Sequence, residues 1–159
     1  MKLAKGTLIG MVFGFTFSFC ISFLFMLFGQ ILAGGYTSLI GEVWLYYANL
    51  IPFILNFGLL GFYFTKSGLP SNKKLWLVSL FSACIVTLYS GTIGALFGEY
   101  VARGGHFRTP IDGGYLSVNV EGVLVWGTLY AFILLPLTTP LARGIIHIFI
   151  GLMKKTKLV

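Results

Sequence analysis

Long apolar runs broken by short polar stretches fill most of this chain. Hydrocarbon about 30 Å thick is crossed by about 20 consecutive apolar residues in helical form, and the pattern predicts four such spans, over about 6–33, 43–65, 75–98 and 120–140. The second begins on Trp44, Tyr46 and Tyr47 and the third on Trp76, amphipathic rings suited to a headgroup boundary. The polar turn KSGLPSNKK separates these two spans. Pro136 and Pro140 lack the donor that a helix interior needs, so the fourth span is expected to kink or end near PLTTPLAR. Beyond it, Arg143, His147, Gly151 and Lys154 recur on one helical face, with isoleucines, Phe149 and Met153 elsewhere. That pattern predicts a C-terminal interfacial amphipathic helix over about 142–153.

Composition agrees with a membrane protein. The 159 residues are 57% hydrophobic and only 9% charged, with mean hydropathy +0.93, whereas a soluble domain carries about 25% charged residues. Four spans leave no room for a separate soluble domain, so the chain is expected to be a single membrane domain. The apolar region behind MKLAK is too long for a secretory leader, and ILAGG lacks a small-x-small cleavage pattern, so the first span is read as retained. Cys20 and Cys84 sit inside apolar runs without metal-ligand or redox spacing. They read as small buried apolar residues.

Charge predicts the orientation. Lys2, Lys5, Lys66, Lys73, Lys74, Arg143, Lys154, Lys155 and Lys157 fall on one side of the four-helix map, against Arg103 and Arg108 on the other. Basic residues are retained in the cytoplasm, so both termini are expected there, in a multi-pass protein of a bacterial inner (plasma) membrane. All four acids, Glu42, Glu99, Asp112 and Glu121, map to the opposite surface. The net charge of +7 comes from residues bordering lipid headgroups, with no basic stripe or stacking platform, which excludes nucleic acid as a partner class.

LFGQILAGG at 27–35 and LFGEYVARGG at 96–105 resemble each other, and each precedes a glutamate and another apolar span. Such spacing suggests two parallel hairpin repeats. FSFCI and FSACI align with a different offset, however, so chance recurrence of Phe, Gly and Leu stands beside duplication.

Three sets of residues carry candidate chemistry. Gly6, Gly10 and Gly14, and Ser90, Gly94 and Gly98, repeat every four residues, the spacing that lets membrane helices approach closely. Gln30, Asn49 and Asn56 are intramembrane polar candidates; Asn49 and Asn56, seven apart, share a face around Pro52 and serve either as an interhelical clasp or as a polar path. The segment 99–119 predicts a structured outer loop. There Glu99, Arg103 and His106 would share a face of an extended third helix, until Pro110 and the Gly113–Gly114 pair stop it. Arg103, Arg108, Asp112 and Glu121 either neutralise one another or, with Glu99 and His106, form a docking or ligand surface.

The pattern contains no nucleophile elbow, zinc-protease helix, phosphate loop or ordered metal cluster, and no cofactor is expected. The leading expectation is a non-catalytic accessory, assembly or regulatory subunit of a larger membrane complex. Its partners would be lipids and other integral membrane proteins or further copies of itself. A small oligomeric transporter or channel is the alternative, and a membrane enzyme using the outer loop comes third.

Overall fold

The computed structural model describes residues 1–32, 34–35, 43–111 and 114–159. In order, the elements are α1 (Lys2–Leu32), α2 (Trp44–Ser67), α3 (Asn72–Gly91), α4 (Ile93–Ala102), β1 (Arg108–Ile111), β2 (Gly114–Ser117), α5 (Val120–Ile133) and α6 (Leu135–Lys155). The fold is a helical bundle in which α1, α2, α3 and α6 are each long and apolar enough to cross a membrane.

The tightest interface joins α1 to α2. Gly10 meets the Phe57 carbonyl and Gly14 the Phe53 carbonyl, while Gly6 faces Gly61 and Thr65. A Cβ at any of the three would collide with α2, so the absence of side chains sets the interhelical distance. A second close approach follows from Pro52. Having no N–H, it leaves the Ala48 carbonyl without its intrahelical donor, and Gly94 of α4 packs against that oxygen. Gly98 makes the equivalent contact one turn on, at Trp44.

The expected third helix, 75–98, is two helices. Thr92 adopts φ −116° and ψ −95°, outside the helical region, and its hydroxyl donates to the Leu88 carbonyl at 2.5 Å. This back-bonding competes with the helical ladder. At the same point Gly91 crosses Gly127 of α5, backbone against backbone. The redirected α4 lies along the start of α2.

The C-terminal part also divides differently from expectation. The break falls at Leu134, before Pro136, because the proline can neither donate to Phe132 nor accommodate its carbonyl. From Leu135 the chain runs as one helix through Pro140 to Lys155, so 142–153 is not a separate helix. The expected two-faced pattern is present within α6. Ile145, Ile146, Phe149, Ile150 and Met153 are buried, and His147, Gly151 and Lys154 are exposed.

The core is an aromatic and aliphatic cluster. Phe149 sits 5.0 Å from Phe13, 5.4 Å from Phe57 and 6.2 Å from Phe64, ring centre to ring centre, and Ile146 and Met153 fill the spaces around it. Nearby, Arg143 donates to Asn72 at 2.5 Å and stacks over Trp76 at 4.3 Å, tying α6 to the first turns of α3.

The two halves of the suggested repeat fold differently. The helix that carries LFGQIL is unbroken from Lys2 to Leu32, whereas the stretch ending in LFGEYVARGG is divided at Thr92. Glu42, which would follow the first copy, lies outside the described residues.

Candidate functional site

Two features organise the site: a cavity inside the bundle, lined by Asn49 and Asn56, and a hairpin beyond α4.

The cavity has a volume of about 450 Å³ and lies between the α1–α2 pair and the remaining helices. Phe53 and Phe57 of α2, Val86 of α3, Ala131 of α5 and Ile145 and Ile146 of α6 form much of its wall. Phe25 of α1, Tyr130 and Leu134 near the end of α5, and Leu141 of α6 line it and are also exposed. They mark its open side. Among the described residues the lining contains no carboxylate, amine, imidazole or guanidinium. Its polar groups are neutral amides and hydroxyls, together with the Trp44 indole and the Tyr130 phenol.

Asn49 and Asn56 both line this space, but in different circumstances. The Asn49 amide donates to Ser22 Oγ at 2.9 Å in a fully buried contact, linking α2 to α1. Ser22 was not singled out from sequence; its signal was a hydroxyl in α1 one turn after Ser18, itself buried and bonded to the Phe15 carbonyl at 2.7 Å. Asn56 hydrogen-bonds to no described residue. Ser90 is in the cavity wall, its Oγ buried without a hydrogen-bond partner among the described residues. Gln30 is elsewhere, near the end of α1, where its backbone carbonyl accepts from Gly35 N at 3.2 Å.

Beyond α4 the chain forms a cap. The helix stops at Ala102, earlier than Pro110, because Gly104 and Gly105 adopt φ +70° and +88°. Gly105 N then donates to the Tyr100 carbonyl and Gly104 N to the Val101 carbonyl, closing the helix in a Schellman arrangement. Glu99 and Arg103 form an ion pair at 2.7 Å. His106 follows the terminating glycines, off that helical face, and is exposed, as is Arg108. Asp112 lies outside the described residues. Glu121 is exposed in the first turn of α5, where its charge suits the positive helix end, and Asn119 caps that helix by accepting from Gly122 N at 2.9 Å.

The two strands pair antiparallel, with Arg108 opposite Ser117 and Pro110 opposite Tyr115. Val118 N donates to the Phe107 carbonyl and extends the ladder toward the bundle. The Phe107 ring packs on Tyr100 at 5.1 Å, which anchors the hairpin base. Further out, Tyr115 is 72% and Leu116 52% exposed. Adjacent strand residues point to opposite faces, so at these positions neither face is covered by the bundle. Among the described residues, Glu99 and Arg103 pair on α4, and Glu121 lies at the start of α5.

No protein-family model, curated protein or solved structure matches the chain.

Proposed function

We propose that this chain is a non-catalytic accessory, assembly or regulatory subunit of a larger membrane complex, and that it docks through the hairpin cap. The observation that carries this reading is the exposure of Tyr115 and Leu116 on opposite faces of a two-stranded sheet. A lone hairpin is marginally stable in water, and aromatic side chains are favoured where a surface is buried against a protein partner. Tyr100, Phe107 and the double-glycine stop hold the hairpin clear of the helices, which suits a partner that surrounds it. In this reading the lysine-rich ends of the helices face the cytoplasm and the cap faces the opposite compartment.

A photo-crosslinking residue in place of Tyr115, activated in intact cells, tests the proposal. Expected is an adduct with one other membrane protein, which also co-purifies in fixed ratio in mild detergent and is lost from the Tyr115→Ser, Leu116→Ser double variant. Adducts with lipid alone, or purification of this chain without a stoichiometric partner, would overturn it.

A further inference from the structure

We propose that the cavity is a binding site for one single-chain amphiphile whose polar end is an uncharged carbonyl or hydroxyl group, hydrogen-bonded by Asn56. The inference is independent of the docking role of the hairpin.

Size and lining define the ligand class. At about 450 Å³ the space is within the range of about 300–1,000 Å³ typical of small-molecule sites. The wall is built largely from Phe, Val, Leu, Ile and Ala, and the absence of charged groups among its described residues leaves a charged ligand head without compensation. An apolar void of this size destabilises a bundle when empty, and water entering it would need two to four polar partners per molecule. Hydrocarbon suits the apolar part of the wall.

The route of entry is also specified. The open side lies between Phe25 of α1 and Tyr130, Leu134 and Leu141 of α5 and α6. In a bilayer that seam faces acyl chains rather than solvent, so the ligand is one already dissolved in lipid. Phe57 and Ile146 belong to both the cavity wall and the core cluster around Phe149, which closes the far side.

Asn56 supplies the selectivity. Asn49, one face-repeat away, spends a donor on Ser22, whereas the Asn56 amide meets no described protein partner while lining a low-dielectric space. The Asn56 side chain is half-buried in the cavity wall, so a carbonyl or hydroxyl at the ligand head supplies a hydrogen bond it does not make within the protein, and the buried, unpartnered Ser90 Oγ lines the same cavity. Such a head group is shared by free fatty alcohols and by single-chain esters such as monoacylglycerols, and competition separates these sources.

The test uses the full chain in mild detergent and in phosphatidylcholine vesicles, with a long-chain fatty alcohol carrying a mid-chain diazirine as probe. Expected is saturable labelling of peptides from α2, α3 and α5. Unlabelled fatty alcohol should compete about fivefold better than the alkane of equal length, the factor one neutral hydrogen bond is worth. Stronger competition by unlabelled fatty alcohol than by a monoacylglycerol of equal chain length identifies the free alcohol as the ligand form, and the reverse order identifies the ester; suppression by phosphatidylcholine, two-chained and charged at its head, would overturn the proposal. Asn56→Leu should abolish the preference for alcohol over alkane, and Ala131→Phe, which fills the cavity from α5, should abolish labelling with helical content unchanged. Equal competition by alcohol and alkane on the native chain, non-saturable labelling spread over the outer helix faces, or full labelling of the Ala131→Phe protein would each overturn the proposal.

Discussion

Asn49 of α2 and Ser22 of α1 share a buried hydrogen bond of 2.9 Å at the closest-packed interface of the bundle. Interhelical hydrogen bonds in membranes average about 0.6 kcal/mol and reach about 1.7 kcal/mol. Asn49→Leu and Ser22→Ala should therefore each lower the thermal midpoint in detergent modestly. The double variant should be scarcely worse than either single one, because both remove the same bond. Additive losses would show that the two residues act separately.

Glycine substitutions should divide sharply by location. Gly10 faces the Phe57 carbonyl with no room for a Cβ, so Gly10→Leu forces α1 and α2 apart and should cost more than about 2 kcal/mol, the scale of core overpacking. Gly144, inside α6, has open space around the position of a Cβ. Gly144→Ala should be neutral or stabilise by up to about 1 kcal/mol through helix propensity. Detergent melting curves of the two variants measure the contrast directly.

The crossing of α3 and α5 yields a third expectation. A Cβ on Gly127 would collide with the Gly91 carbonyl and approach the Thr92 methyl group. Gly127→Ala should lower the melting midpoint by several degrees and increase exchange of the amides from Leu88 to Ala95, next to the helix break. Unchanged exchange there would mean that the break does not depend on this contact.

Arg143 anchors α6 by a fork-shaped cation that bonds Asn72 while lying over Trp76. Lysine keeps the charge but loses the planar stacking group. Arg143→Lys should cost roughly 1 kcal/mol, in line with cation–π estimates, and Trp76→Leu should remove most of that difference. A double-mutant cycle in detergent provides the measurement.

Much of the helix layout was legible because an apolar run long enough to cross lipid announces itself, and because Trp44 and the Lys73–Lys74 pair mark ends. The interruption at Thr92 was not, since Thr and Gly are common in helices and this break coincides with a crossing by Gly127, far away in sequence. Pro136 was visible as a helix breaker, yet the proline pattern alone did not reveal that α6 would start before it and run through Pro140. Asn49 and Asn56 look equivalent at a spacing of seven. Their different surroundings arise from Ser22 on one side and empty volume on the other, neither of which is a property of α2 itself. The hairpin was foreseen only as an ordered loop: Gly104 and Gly105 end α4 before His106 can join the face of Glu99 and Arg103.

The stack of Phe13, Phe57 and Phe149 makes the interior a cul-de-sac rather than a corridor. For anything lodged beside Asn56 to continue past this stack, interlocked rings from three separate helices would have to move in concert. For the amphiphile proposed above, retreat past Tyr130 requires no such rearrangement, so the opening on that side would set how long the ligand stays.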